Sequence, residues 1–227
     1  MDYEVLRNVG PGANLTGVNL SGVVLMAVNL SQVNLTEAKL TGAMIMAANL
    51  SQANLTRADL TRARFGQANL TGANLNAANL TEADLCEANL TGADLRGAIL
   101  SKAQVTGADL TGADLTGADL IRADLRRAKL SKAILTGVML SRTILGENIL
   151  SEADLKGTDL KGVDLSGADF KGTDLKGADL SGADLRGADL SQAILTGAIL
   201  TGAKADRSTK WPLHFDPDHE IVIFVDY

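Results

Sequence analysis

The segment GADLSGADLRGADL, residues 177–190, repeats with a period of five residues. An α-helix turns about 100° per residue, so a leucine at every fifth position would be spread around the whole helix circumference. In a flat strand the side chains alternate between two faces, and an odd period would send successive leucines to opposite faces. Neither a regular helix nor a simple strand therefore explains this period.

The same period runs through most of the chain. From Leu15 to Leu200 every fifth residue is apolar and in phase. The positions that are not leucine are Ile45, Phe65, Val105 and Phe170. A small residue, usually alanine, lies two positions before each central apolar residue. In an extended unit the small residue and the central residue therefore share a face. If the chain turns a corner after each such pair, all of these side chains point inward, and glycine suits a repeated tight corner. The unit Ala-(Asn/Asp)-Leu-(Ser/Thr)-Gly therefore predicts a short strand followed by a corner.

Irregular positions reveal how many units complete one circuit. When residues 23–42 are aligned with residues 43–62, Met26 recurs as Met46 and Gln32 as Gln52. This lag of 20 residues corresponds to four units, which predicts a square coil with four sides. Successive coils would stack roughly 4.8 Å apart through strand-like hydrogen bonds, giving a rod roughly 45 Å long.

On these residues the chain resembles the pentapeptide-repeat proteins, whose A-(D/N)-L-x-x motif matches positions 13–203. The resemblance implies an all-β fold, a right-handed quadrilateral parallel β-helix (a β-solenoid) with four five-residue units in each 20-residue coil. Its handedness is implied by the resemblance alone. The family is abundant in cyanobacteria, and most of its members have no established biochemical function, so the fold alone indicates little about function.

Both ends of such a rod need covering, because an open coil exposes unpaired backbone and apolar core. We predict an N-terminal cap at residues 1–12, with a helical turn from Asp2 that ends at Gly10 and Pro11. The repeat helix then spans residues 13–203, and a capping tail spans residues 204–227. In this tail Trp211, Phe215 and residues 221–225 are predicted to cover the last coil, as a similar tail does in many members of the resembled family.

Composition excludes several classes of protein. Aromatic residues make up 3% of the chain against 46% hydrophobic residues, so the core consists of small and medium aliphatic side chains. A net charge of -6, evenly spread, predicts no direct binding of nucleic acid and no membrane association. The start lacks the features of a secretory signal, which predicts a cytoplasmic protein, with the periplasm or thylakoid lumen as the alternative if a signal was removed.

Neither catalysis nor a cofactor is predicted. A nucleophile, a base and an orienting group must converge in a concave pocket, whereas this rod is convex and carries histidine only in its tail. The tail residues with metal-ligand chemistry are His214, Asp216, Asp218, His219 and Glu220. Because Pro217 interrupts them and the resembled tail has the same Phe-Asp-Pro segment, no metal site is predicted. Cys86 follows a central leucine and is interpreted as an incidental exposed thiol.

One side of the rod is chemically varied. Residues 20 apart fall into columns, and most columns are monotonous. The varied side is predicted to carry the partner-binding residues Arg62, Arg64, Lys102, Arg122, Arg126, Arg127 and Arg142. Arginine makes planar, directional contacts, so we predict that a protein partner binds there. The alternative is drift among exposed positions that carry no function.

Two further surface features remain open as alternatives. Residues 133–150 place Ile134, Met139, Ile144 and Ile149 at outward positions, one on each side, which makes a belt rather than one contiguous patch. The Asp-rich run 154–189 alternates with lysines and is predicted to form mixed surface ladders.

The predicted function is a non-enzymatic interaction rod, and the partner's identity stays open. The alternative function is a DNA mimic that binds DNA gyrase, as some members of the resembled family with antibiotic-resistance roles do. Those proteins tend to have phenylalanine at central positions and loops that interrupt the coils, whereas this chain is leucine-dominated and loop-free. Stacking of two rods end to end into a homodimer is also left open.

Asn148 occupies an inward position at which the neighbouring coils carry alanine. A buried amide without partners costs about 1–3 kcal/mol. We therefore expect either a local departure of the coil near residues 146–148 or hydrogen bonds between this amide and neighbouring backbone.

Overall fold

Each five-residue unit forms one parallel β-bridge and one turn. The computed structural model of the chain describes residues 10–140, 142–146, 148–217 and 222–225. Within these ranges the bridges join residues 20 apart, beginning with Asn14 and Asn34 and reaching Asp184 and Lys204. The chain is thus a quadrilateral β-helix with four units per coil, as the sequence predicted, and it is right-handed, as the family resemblance implied.

Leucine and alanine columns fill the inside of the helix. Leu115 and Ala113, two residues apart in the middle of the rod, are both fully buried. The larger central residues Phe65 and Phe170 are buried as completely. The predicted inward placement of both positions of the repeat is therefore confirmed.

A four-residue turn begins at each central residue and forms one corner. At a typical corner the N–H of Val33 donates to the carbonyl oxygen of Leu30 at 3.2 Å. The third residue of the turn has a positive φ, as in a type II turn, at every described corner from Gly12 to Gly187. Glycine adopts this conformation without strain, which explains why it recurs at the corners.

The C-terminal segment completes the helix and covers its end. The ladder continues past residue 203, where one extra residue shifts the spacing and Asp189 pairs with Lys210. Strand β1, Lys204–Ala205, then pairs in parallel with strand β2, Ile223–Phe224.

Aromatic packing closes the same end of the rod. The rings of Trp211 and Phe215 stack with their centroids 5.2 Å apart, and both side chains, with Val222, pack against the core. These residues lie in the tail that the sequence predicted as a cap, and the assignment of the whole tail as a cap stays a prediction. Residue 221, and residues 1–9 of the predicted N-terminal cap, lie outside the described ranges.

The side chain of Asn148 bonds to backbone, which is one of the two expected outcomes. Its Oδ1 accepts a hydrogen bond from the N–H of Ala128 at 3.2 Å. Its Nδ2 is buried and has no partner among the described residues. The amide is therefore only half satisfied inside an otherwise apolar core.

Candidate protein-binding side

The predicted binding residues lie on one side of the rod, which we call the arginine side. One corner column carries Arg62, Glu82, Lys102, Arg122 and Arg142. The middle column contributes Arg64, and the other corner contributes Arg126 and Arg127. All seven predicted residues are exposed.

Local geometry explains why this side presents long side chains. The first corner column takes its residues from the third turn position, which points away from the core and has a positive φ, for example 60° at Arg142. Glycine occupies the same column below and above, at Gly42 and Gly162. The charged part of the column is therefore confined to consecutive coils in the middle of the rod.

Acidic neighbours neutralise the lower part of the arginine side. Arg62 Nε lies 2.8 Å from Glu82 Oε2, and Lys102 Nζ lies 3.5 Å from Glu82 Oε1. The hydrogen bond from Arg62 lowers the pKa of Glu82, and Lys102 lowers it further. Arg64 approaches Asp84 at 4.0 Å. These cations already have carboxylate partners within the chain.

The upper part of the side is different. Arg126 is bound to Asp124, with 2.6 Å between Arg126 Nη2 and Asp124 Oδ2. The hydrogen bond from Arg126 holds the pKa of Asp124 below its usual value. In contrast, Arg122 and Arg142 are exposed and form no ion pair with any described residue. These two guanidinium groups are the cations on this side that are open to an external carboxylate.

A shallow groove of about 370 Å³ opens at the other corner of the arginine side, where Arg126 and Arg127 belong to its lining. It forms where Gly146 stands between Arg126 and Ser166 in the same column and contributes no side chain. Ile144 supplies an apolar surface in the groove, and Asp164 supplies a carboxylate. The groove was not predicted from the sequence, although a glycine at the second turn position, where serine or threonine is usual, could have indicated it.

Cys86 is less accessible than its place in the repeat predicted. The residue is half-buried at the corner of the arginine side rather than exposed. Burial, together with a hydrogen bond to Asp84, raises the pKa of the Cys86 thiol to about 11. The thiol therefore stays protonated at neutral pH, which makes it a poor nucleophile.

The outward apolar residues form a belt, as the sequence predicted. Their exposures are similar, 40% for Ile134, 48% for Met139, 38% for Ile144 and 40% for Ile149. Because consecutive members lie on consecutive sides, they do not merge into one patch.

Of the tail residues with metal-ligand chemistry, Asp218, His219 and Glu220 lie outside the described ranges. Within those ranges the structure has no cluster of three potential metal-ligating side chains. It also has no helix there with the length and apolar character needed to cross a membrane.

Comparisons with known proteins agree with this architecture. The family model for pentapeptide repeats matches residues 12–43, 47–76, 78–117, 108–146, 149–187 and 173–209. No curated protein sequence matches the chain.

Among solved structures, the chain is similar to HetL, a pentapeptide repeat protein involved in heterocyst differentiation regulation from the cyanobacterium Nostoc sp. strain PCC 7120. The two are 36% identical with a TM-score of 0.70, over 87% of this chain and 92% of HetL. The chain is also similar to QnrB1, a plasmid-mediated fluoroquinolone resistance protein, at 19% identity and a TM-score of 0.47 over 89% of this chain and 92% of QnrB1.

Proposed function

This chain belongs to the pentapeptide repeat family, and from that premise we propose that it is a non-enzymatic rod that binds a protein partner through its arginine side. The observation that carries the proposal is the exposure of Arg122 and Arg142 without an ion-pair partner among the described residues. Lysines elsewhere on the rod are placed differently. Lys156, for example, lies 3.2 Å from Asp154 and 3.3 Å from Asp174.

The proposed partner carries an acidic patch. Unpaired arginines bind carboxylates in bidentate geometry, and a row of cations also steers an acidic protein toward this side during encounter. HetL, the 36% identical protein of known structure, is described as involved in regulating heterocyst differentiation. A regulatory protein–protein contact is therefore the class of function that we propose here.

Charge reversal on the arginine side provides the test. We expect the double substitution Arg122→Glu with Arg142→Glu to leave the fold intact, because exposed substitutions usually change stability by less than about 0.5 kcal/mol. Partner capture from a lysate of the source organism should fall at least tenfold. The salt dependence of the remaining capture should also weaken, because rim charges act largely through screened electrostatics.

The matched control is the double substitution Arg57→Glu with Lys132→Glu. Both residues are exposed cations at corner positions with positive φ, as Arg122 and Arg142 are, but they lie in other columns. An equal loss of capture in this control would show that net charge, rather than one side, governs binding. Capture of a gyrase subunit that neither double substitution affects would instead favour the DNA-mimic alternative.

A further inference from the structure

The ladder of backbone hydrogen bonds is interrupted on one side of the rod. Met139 pairs with Asp119, and Asp159 pairs with Asp179, but no bridge joins Met139 to Asp159. The N–H groups of Leu140 and Asp159 have no hydrogen-bond acceptor in the part of the chain that the structure describes. We call this interruption the seam.

The same two coils stay bonded on the side opposite the seam. There the N–H of Asp169 donates to the carbonyl oxygen of Asn148, and the N–H of Leu150 donates to that of Asp169, both at 2.8 Å. The coils therefore part as a wedge that is open at the seam and closed on the far side.

Stacked side chains inside the rod explain the wedge. At the inward small-residue position, Val138 stacks on Thr158 and Thr143 stacks on Val163. In every other described pair of successive coils, at least one of the two stacked residues is alanine. Because the interior is close-packed, two β-branched residues in one column push the coils apart. The bridge is lost where Val138 stacks on Thr158, whereas the bridge between Ile144 and Asp164 remains beside the second stacked pair. The seam is thus built into the sequence.

The wedge leaves a cavity of about 450 Å³ that is open to solvent. Its lining includes Ile121, Val138, Met139, Leu140, Asp159 and Lys161. Apolar side chains predominate, and the unpaired N–H groups of Leu140 and Asp159 belong to two of the lining residues. An apolar slot with free backbone donors has the recognition chemistry of a site that binds an extended polypeptide.

Cations at the edge of the seam, rather than in its lining, favour an acidic ligand. In the lining, Lys161 Nζ lies 3.0 Å from Asp179 Oδ2 and 4.0 Å from Asp159 Oδ2, so this cation is already paired. At the adjoining corner, Arg122 and Arg142 have no ion-pair partner among the residues described. A carboxylate on a segment that enters the seam would find these guanidinium groups at its edge.

We propose that the seam binds an extended acidic segment of the protein partner as an added strand. The inference rests on the proposed function, since the segment belongs to the partner of the arginine side. Backbone carbonyls of the segment accept the N–H groups of Leu140 and Asp159. Its N–H groups donate to the carbonyl oxygens of Val138 and Asp159, which accept no backbone bond from any described residue. An apolar side chain of the segment enters the cavity, and a flanking carboxylate pairs with Arg142.

The test uses the full chain and a blocked, fluorescein-labelled peptide, EVTVTVE, followed by fluorescence anisotropy. We expect saturable binding of this peptide. The charge-reversed peptide KVTVTVK and the proline peptide EVPVPVE, which lacks two of the backbone N–H donors, should each bind at least tenfold more weakly. Absence of saturable binding, or equal binding of the three peptides, would overturn the proposal.

A variant that lets the two coils pair at the seam, which we call the closing variant, tests whether the peptide binds there. The double substitution Thr158→Ala with Val163→Ala removes one bulky member of each stacked pair and leaves the cavity-lining residues unchanged. The amides of Leu140 and Asp159 should then gain protection from hydrogen exchange, and EVTVTVE affinity should fall at least tenfold. The matched control is Val33→Ala with Thr173→Ala, which changes the same residue types where the backbone ladder is continuous and should keep wild-type affinity.

Failure of this inference is distinguishable from failure of the proposed function. If the seam binds no peptide but reversal of Arg122 and Arg142 still abolishes partner capture, the seam proposal is wrong and the arginine side stands. If the peptide binds and the closing variant loses it, while charge reversal leaves partner capture unchanged, the seam stands and the arginine side is wrong.

Discussion

The coils at residues 12–92 and those at residues 150–210 share one core but differ in surface chemistry. In the first region asparagine precedes most of the central leucines, whereas in the second region aspartate does. The local bond is the same, since the N–H of Thr36 donates to Asn34 Oδ1 at 3.1 Å and that of Ser181 to Asp179 Oδ1 at 3.0 Å. One backbone fold therefore accepts a neutral or a charged acceptor at the same position.

The two regions stabilise their stacked polar side chains by different interactions. Asn49 Nδ2 donates to Asn29 Oδ1 in the coil below at 3.2 Å, so neutral amides form a ladder along the rod. Stacked aspartates repel one another, and lysines lie between them in the second region. Lys171 is 3.4 Å from both Asp169 and Asp189. The predicted mixed ladders are confirmed. We expect their stability, unlike that of the amide ladder, to depend on pH.

The largest expected effect is the loss of stability when a buried leucine of the shared core is replaced by alanine. This loss should be equal in the two regions. Leu75 and Leu185 are both buried, at 1% and 0% exposure. Replacing either by alanine should lower the free energy of unfolding by about 2–5 kcal/mol. Far-ultraviolet circular dichroism during denaturation gives the measurement and should show β structure. A clearly smaller loss at one of the two positions would mean that the core is not equivalent along the rod.

Much of this comparison could be predicted from the sequence because the repeat leaves few choices. A central residue such as Leu115 is in phase with its neighbours, so its burial, the corners and the coil of four units all follow from one unit. The sequence also placed the predicted arginines on one side, because columns 20 residues apart require no coordinates. Whether that side binds a partner stays a prediction.

Other features depend on packing between coils and escaped the sequence analysis. The seam needs two bulky residues in the same column, such as Val138 and Thr158, and each alone is an ordinary variation of the repeat. Likewise, the half-buried state of Cys86 depends on its neighbours in space, which a single unit does not show. Whether an arginine forms an ion pair, as Arg62 does and Arg142 does not among the described residues, depends on side-chain conformation.

Acid should destabilise the aspartate-rich region before the asparagine-rich region. The hydroxyl of Ser181 and the ammonium of Lys161 lower the pKa of Asp179, and Arg186 lowers that of Asp184. A lowered folded-state pKa gives stability that is present above the unfolded-state value near 3.9 and is lost as pH falls through the folded-state value. Below about pH 4, hydrogen-exchange protection should therefore fall in residues 150–210 before it falls in residues 12–92.

Asparagine at the same positions is the control for the acid effect. The double substitution Asp179→Asn with Asp184→Asn keeps the side-chain oxygen that accepts the local backbone bond and removes the titrating groups. Its protection in the surrounding coils should change less with pH than that of the wild-type chain. A uniform loss of protection in both regions at acid pH would contradict the proposed role of the charged ladders.

The smallest effect concerns the corners, where the regions again differ. Ala47 has a φ of 54° in the first region, and Gly182 has a φ of 67° in the second. An L-residue in this conformation is strained by about 1–2 kcal/mol, whereas glycine is not. Gly182→Ala should therefore lower the free energy of unfolding by about 1 kcal/mol, measured by denaturant titration, since the added methyl group meets no atom within 4 Å. Ala47→Gly should raise the free energy of unfolding by a smaller amount, because the flexibility that glycine adds to the unfolded chain offsets part of the relieved strain. If both substitutions destabilise the chain, this flexibility outweighs the strain at the corner, and alanine at a corner does not lower the stability of the rod.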